Sequence, residues 1–184
     1  DILPGWINLD SVALPGVDVV ADLDNCATTP LPFANDSINE FYASHLLEHI
    51  KNPLSLMQEL YRIAAPGASA KFQVPYGSSD DAYEDPTHVR PYFLNSFGYF
   101  SQPMYWRADY LYKGDWQPEK ITLFVSSAKY QSRTAEEIMK EVNYNRNVVL
   151  EMHAELKAIK PARPSKKELQ IAPKLAIVLH SAPT

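Results

Sequence analysis

Ser37-Ile-Asn-Glu-Phe-Tyr-Ala-Ser-His-Leu-Leu-Glu-His-Ile50 decides how this chain is read. Ile38 to Ala43 is rich in residues that suit a buried strand. Ser44-His45 ends that strand, and Glu48 and His49 open a helical turn directly after it. In open α/β sheets, ligands bind outside the carboxyl ends of the strands. His45-Leu-Leu-Glu-His49 also fits the H-x-x-E-H pattern of a zinc peptidase. That pattern needs both histidines on one helical face, and His45 sits at a strand end. The peptidase is therefore the lesser alternative, and no metal ligand set is expected.

Working outward, Trp6–Leu9 reads as a short strand ending at Asp10, and Val17–Ala21 as a second ending at Asp22. Downstream, Asn52-Pro53 starts a helix, because Asn suits the N-cap and Pro the first helical position. Leu54, Met57, Leu60, Tyr61 and Ala64 keep helical spacing, and Pro66-Gly67 stops the run. Ala70–Val74 is the next strand. Ile7, Val19, Phe41 and Phe72 are expected on buried faces of one sheet.

Pro75 to Tyr92 reads as a long polar loop, a length that is usually functional. Leu94–Phe100 reads as a short helix and Lys120–Val125 as a strand. Thr134 with Glu137 forms a capping box ahead of a helix reaching Val142. Val148–Ile159 alternates with period two and predicts a long strand, with helix as its rival. Lys174–His180 is a last strand. Alternation of strands with a helix points to a parallel sheet, and the later strands without helices between them to an antiparallel edge.

The 184 residues fit one ordinary domain; they are 46% apolar and 21% charged, with net charge −5. That balance argues against a nucleic-acid surface, which needs clustered Lys and Arg. The cluster Lys157 to Lys167 reads as a solvated linker. Cys26 is the only cysteine, so no internal disulfide can form and a reducing cytoplasm is the expected location. No run of about 18 apolar residues marks a membrane span.

Pro4-Gly-Trp-Ile-Asn-Leu-Asp10, Val17-Asp-Val-Val-Ala-Asp-Leu23, Leu31-Pro-Phe33, Tyr42 to Ile50, Glu59 to Gly67, Phe72-Gln-Val-Pro75 and Asp85-Pro-Thr-His-Val-Arg90 occur in an order that resembles the class I S-adenosylmethionine-dependent methyltransferases, in a small bacterial and phage branch. The likeness runs over roughly residues 4 to 100. It implies a Rossmann-like, mostly parallel α/β sheet with an antiparallel edge. It also implies a first strand and glycine-rich loop for the methionine part of the cofactor. The six glycines form no G-x-G, so the resemblance implies that this single domain, 1–184, is incomplete at its amino end.

For S-adenosylmethionine, the resemblance places Asp10 on the ribose hydroxyls, Asp22 and Leu23 at the adenine, and Ser44 and His45 near the methionine part or the acceptor. Asp10 and Asp22 are equally turn-forming residues, and His45, Glu48 and His49 equally anchors of the turn. His88 is the candidate acid–base, since an oxygen acceptor must lose a proton; a purely loop-ordering role with Asp85 and Arg90 stays open. Tyr76, Tyr83, Tyr92, Tyr99 and Tyr105 would wall this region. The expected acceptor is a small molecule or glycan, with no membrane partner. A non-catalytic binding or assembly module remains the alternative.

Overall fold

The computed structural model describes residues 2–108 and 110–181. Its strands are β1 (Leu9–Asp10), β2 (Val19–Val20) and β3 (Ile38–Ser44), followed by helix α1 (Pro53–Ile63) and strand β4 (Ala64–Pro75). Then come α2 (Asp81–Glu84), β5 (Trp116–Ser126), α3 (Ser127–Tyr130), α4 (Ala135–Tyr144), β6 (Val149–Ala158) and β7 (Lys174–His180).

Five strands form one sheet in the order β3-β4-β6-β5-β7. β4 runs parallel to β3, β6 antiparallel to both β4 and β5, and β7 parallel to β5. Thus β3, β4, β5 and β7 all point one way. The reversed strand, β6, lies between β4 and β5 rather than at the rim. The mostly parallel α/β plan stands.

The early strands differ from expectation. β1 and β2 pair parallel with each other but form a separate two-stranded sheet. Trp6–Leu9 and Val17–Ala21 therefore shrink to two-residue ladders, and one continuous sheet is corrected to two. Ile7 is 59% exposed because it faces the gap between the sheets. Val19 and Phe41 are half-buried, and Phe72 is buried as expected.

Local chemistry explains the remaining elements. Asn52 caps α1, its side chain accepting from the Ser55 N–H at 3.3 Å, with Pro53 in the first turn. The helix ends at Ile63 and β4 begins at once, earlier than Ala70. Its register slips between Ile38 and Glu40 of β3, opposite Pro66-Gly67, where Gly67 takes φ +81°. A glycine admits that conformation without steric cost. The Thr134–Glu137 capping box forms as expected. Leu94–Phe100 is instead a 3₁₀ turn over Ser96–Phe100, with a second over Gln102–Tyr105.

The core lies between α1 and the sheet, from Leu56, Met57 and Ile63 to Phe72, Val74, Leu123 and Met152. Trp116 is fully buried in it and donates its indole N–H to the Met57 carbonyl at 2.9 Å. A buried indole N–H without a partner would be costly. Glu59 and Arg62 of α1 hold the Leu31–Phe33 bend. Glu59 accepts from the Leu31 N–H at 2.6 Å, and Arg62 donates to the Leu31 and Phe33 carbonyls. The basic stretch is not wholly a solvated linker. Arg163 forks onto the buried Asp115 with two bonds of 2.8 Å and reaches Ser101 and Gln117.

Candidate functional site

A groove of about 850 Å³ opens between the two sheets, lined on one side by β1 and its flanks and on the other by β3. Asp10, Leu23, Ser44 and His45 all line it, together with Leu9 and Phe41. The topology brings them together because β1 and β3 both end there. The volume suits a cofactor-sized ligand.

Asp10 closes β1 in an Asx-type turn: Oδ1 accepts from the Val12 N–H at 3.0 Å and from the Ser11 hydroxyl at 3.4 Å. Oδ2 accepts no hydrogen bond among the described residues. The turn and ligand readings are thus compatible, one oxygen for each. Leu23 is half-buried and presents apolar surface to the groove.

Asp22 is exposed and does not line the groove. It caps the 3₁₀ turn Leu23–Asn25, accepting from the Asp24 N–H at 3.0 Å and the Asn25 amide at 2.6 Å. Its capping work holds Leu23 in place, while Asp24 accepts from the Lys51 N–H at 2.7 Å and ties this turn to the start of α1.

His45 stands at the end of β3 with φ +49°, rare for a residue with a side chain. Its N–H bonds to the Gln73 carbonyl at 3.0 Å, so the β-ladder itself holds this conformation. The side chain is 52% exposed. Its Nδ1 lies 3.3 Å from Glu48 Oε1 and its Nε2 lies 3.4 Å from Glu151 Oε2. A left-handed residue at the boundary rules out one helix carrying His45 and His49, which removes the geometric basis of the peptidase reading.

His88 does not line the groove. Its side chain is 9% exposed, packs edge-on against His49 at 4.7 Å between ring centres, and has Nε2 3.9 Å from Asp85 Oδ2. That placement, turned inward against the Glu48–His49 turn, does not support proton transfer to an acceptor in the groove. The loop-ordering alternative matches the Asp85 contact. The Val89 and Arg90 N–H groups bond to the Glu48 carbonyl, which fixes the loop to the same turn.

Glu151 and His153 lie beside His45, a position that the sequence alone did not suggest for them. They lie on a late strand, yet β6 runs antiparallel, so its beginning meets the carboxyl ends of β4 and β5. Glu151 pairs with Pro75 and Phe124, and His153 with Gln73 and Thr122. The hydrogen bond from His153, with help from His45, holds the Glu151 carboxyl below the usual carboxylate range. The Phe124 ring covers His153 at 4.2 Å. The period-two pattern Glu151-x-His153-x-Glu155 put these polar groups on one face; recognising the reversed strand would have placed them at this edge. The arrangement thus offers a half-exposed imidazole flanked by two carboxylates, beside a groove with an open carboxylate oxygen.

A family model described as "methyltransferase domain" matches residues 1–72. No curated protein matches the chain. An S-adenosylmethionine-dependent methyltransferase from Archaeoglobus fulgidus superposes with a TM-score of 0.50 at 15% identity, covering 77% of this chain and 67% of that one. One from Mesorhizobium loti gives 0.45 at 13% identity, covering 79% and 72%. A Haloferax volcanii protein solved with the Trm112 methyltransferase activator gives 0.46 at 13% identity, covering 80% and 64%. The chain therefore spans about two thirds of the length of such proteins. The Archaeoglobus likeness shows the fold. No helix among the described residues is long and apolar enough to cross a membrane.

Proposed function

We propose that this chain, whose residues 1–72 match the methyltransferase-domain model, binds S-adenosylmethionine and transfers its methyl group to a small-molecule or glycan acceptor. The observation that carries the reading is the convergence of Asp10, Leu23, Ser44 and His45 on one groove.

The residues fit the cofactor chemically. Asp10 Oδ2 is open to the ribose hydroxyls and Leu23 to the adenine face, with Asp22 fixing that corner. Bound S-adenosylmethionine supplies an electrophilic methyl carbon. The protein's part is alignment and exclusion of water, which supplies much of the acceleration in such an in-line displacement. His45 faces the groove and takes the acceptor's proton. Glu151 orients the ring and stabilises the imidazolium, as a carboxylate partner does for a general base. The acid–base role expected of His88 passes to His45 on the strength of exposure and position. The net negative charge disfavours a nucleic-acid acceptor.

Titration calorimetry with S-adenosylmethionine and S-adenosylhomocysteine tests the cofactor. A panel of sugars and small metabolites, followed by release of S-adenosylhomocysteine, tests the acceptor class. No saturable binding of either nucleoside, by this chain together with any segment that precedes residue 1, would refute the reading and favour a non-catalytic binding module.

A further inference from the structure

We propose that Glu48, His49 and His88 bind one divalent transition-metal ion, Zn²⁺ foremost, which pins the 85–90 loop to the turn after β3. One ligand atom from each of these residues lies within 4.8 Å of the others. The set is not the H-x-x-E-H pattern, since His45 is replaced by His88 from a distant loop.

Proximity is joined by an independent observation. Glu48 is 1% exposed, and neither of its carboxylate oxygens receives a hydrogen bond among the described residues. His45 Nδ1 approaches Oε1 to 3.3 Å but without hydrogen-bond geometry. The Nδ1 of His88 is likewise buried without a partner. Buried carboxylates are normally paired or coordinate metals, because burying an unpaired charge is very costly.

The hydrogen bonds around the cluster also set the ring tautomers. Thr87 Oγ1 donates to Asp85 Oδ1 at 2.6 Å, so it must accept from His49 Nδ1 at 3.0 Å. The Thr87 carbonyl lies 3.3 Å from the same nitrogen. His49 thus carries its proton on Nδ1 and leaves the Nε2 lone pair free. His88 directs Nε2 toward Asp85 and leaves the Nδ1 lone pair free. Metal-binding histidines typically give their other N–H to a carbonyl or carboxylate in this way. Two neutral imidazoles and a carboxylate suit Zn²⁺, with bonds of about 2.0–2.2 Å, and also accept Co²⁺. The proposal stands apart from methyl transfer, so either can fail without the other.

The test is titration of tag-free, chelator-treated protein with Co²⁺, read by visible ligand-field absorption, then displacement by Zn²⁺. The expected result is one ion per chain and a spectrum that Zn²⁺ abolishes. Glu48→Gln and His49→Ala should each weaken binding by at least the roughly 10–100-fold that loss of an outer partner costs. Zn²⁺ should slow amide exchange at Val89 and Arg90. His88→Ala should behave likewise; should it fail to fold, the Co²⁺ spectrum of the unaltered protein still decides. Absence of saturable Co²⁺ uptake by the unaltered protein would overturn the site. So would uptake that survives Glu48→Gln with His49→Ala but is lost in His153→Ala, which would move the ion to the Glu151 cluster.

Discussion

His45 Nε2 lies 3.4 Å from Glu151 Oε2, so the end of β3 and the beginning of β6 meet across β4. This contact joins the groove to a strand more than a hundred residues away in sequence. It gives an exposed imidazole a fixed orientation.

If that imidazole is the base, His45→Ala lowers turnover by roughly 10²–10⁴ while cofactor affinity changes little. Glu151→Gln keeps the side chain's size but removes the charge, and it should lower turnover less. S-adenosylhomocysteine release at saturating cofactor measures both. Equal turnover in His45→Ala and the unaltered protein would leave His45 a structural residue.

Asp10→Asn tests ribose recognition more cleanly than alanine, because the amide oxygen can still accept from the Val12 N–H. A charge-assisted hydrogen bond contributes about 1.5–3 kcal/mol. The variant should therefore bind S-adenosylhomocysteine roughly tenfold to a hundredfold more weakly with an unchanged melting temperature. Unchanged affinity by calorimetry would remove Asp10 from the site.

Glu59 gives the acid limb of stability. The Arg62 hydrogen bond, against the opposing effect of burial, holds its carboxyl below the usual carboxylate range. A carboxylate depressed in the folded state stabilises fully above its unfolded pKa, near 4.3, and that contribution fades as pH falls through the lower folded value. Urea midpoints followed from pH 7 downward should fall through this window, and Glu59→Gln should flatten that part of the curve. It should also cost about 1.5–3 kcal/mol at pH 7, since charged bonds to Arg62 and Leu31 are lost. An unflattened acid limb would assign the loss to other carboxylates.

Cys26 should resist thiol reagents in the native protein. Burial first, then the charges of Glu59, Asp22 and Asp24, push its thiol up to about 11. At pH 8 only about a thousandth is thiolate. Disulfide-exchange labelling should be slow when folded and fast in denaturant; rapid native labelling would show that the Leu23–Asn25 turn opens readily.

Local signals were legible where one short stretch settles the matter. Asn52-Pro53, Thr134-x-x-Glu137 and the apolar alternation before Ser44 each fix their own hydrogen bonds, so helix starts and strand ends follow. Strand pairing was less legible, because it depends on partners far along the chain. Ile7 has the character of a core residue, yet nothing local says that β1 and β3 do not pair. The address of Glu151 and His153 is hidden for the same reason, since it depends on the direction of β6. The His88 loop follows a strand that ends at the groove, but loop direction does not fix which way a ring turns. The inward turn became visible only beside His49 and Asp85.

The break between β1 and β3 has a consequence for how rigidity is shared. Ladder hydrogen bonds make neighbouring strands melt together, and among the described residues none joins β1 to β3. The β1–β2 lobe is held instead by side-chain packing from Leu9, Leu23 and Phe33 and by the Asp24 link to Lys51. A segment held mainly by side-chain contacts opens at a lower free energy than one held in a ladder. A ligand touching Asp10 on one wall and Ser44 on the other therefore acts as a clasp. Part of its binding energy goes into holding the walls together, so its measured affinity and the lobe's stiffness rise and fall as one quantity.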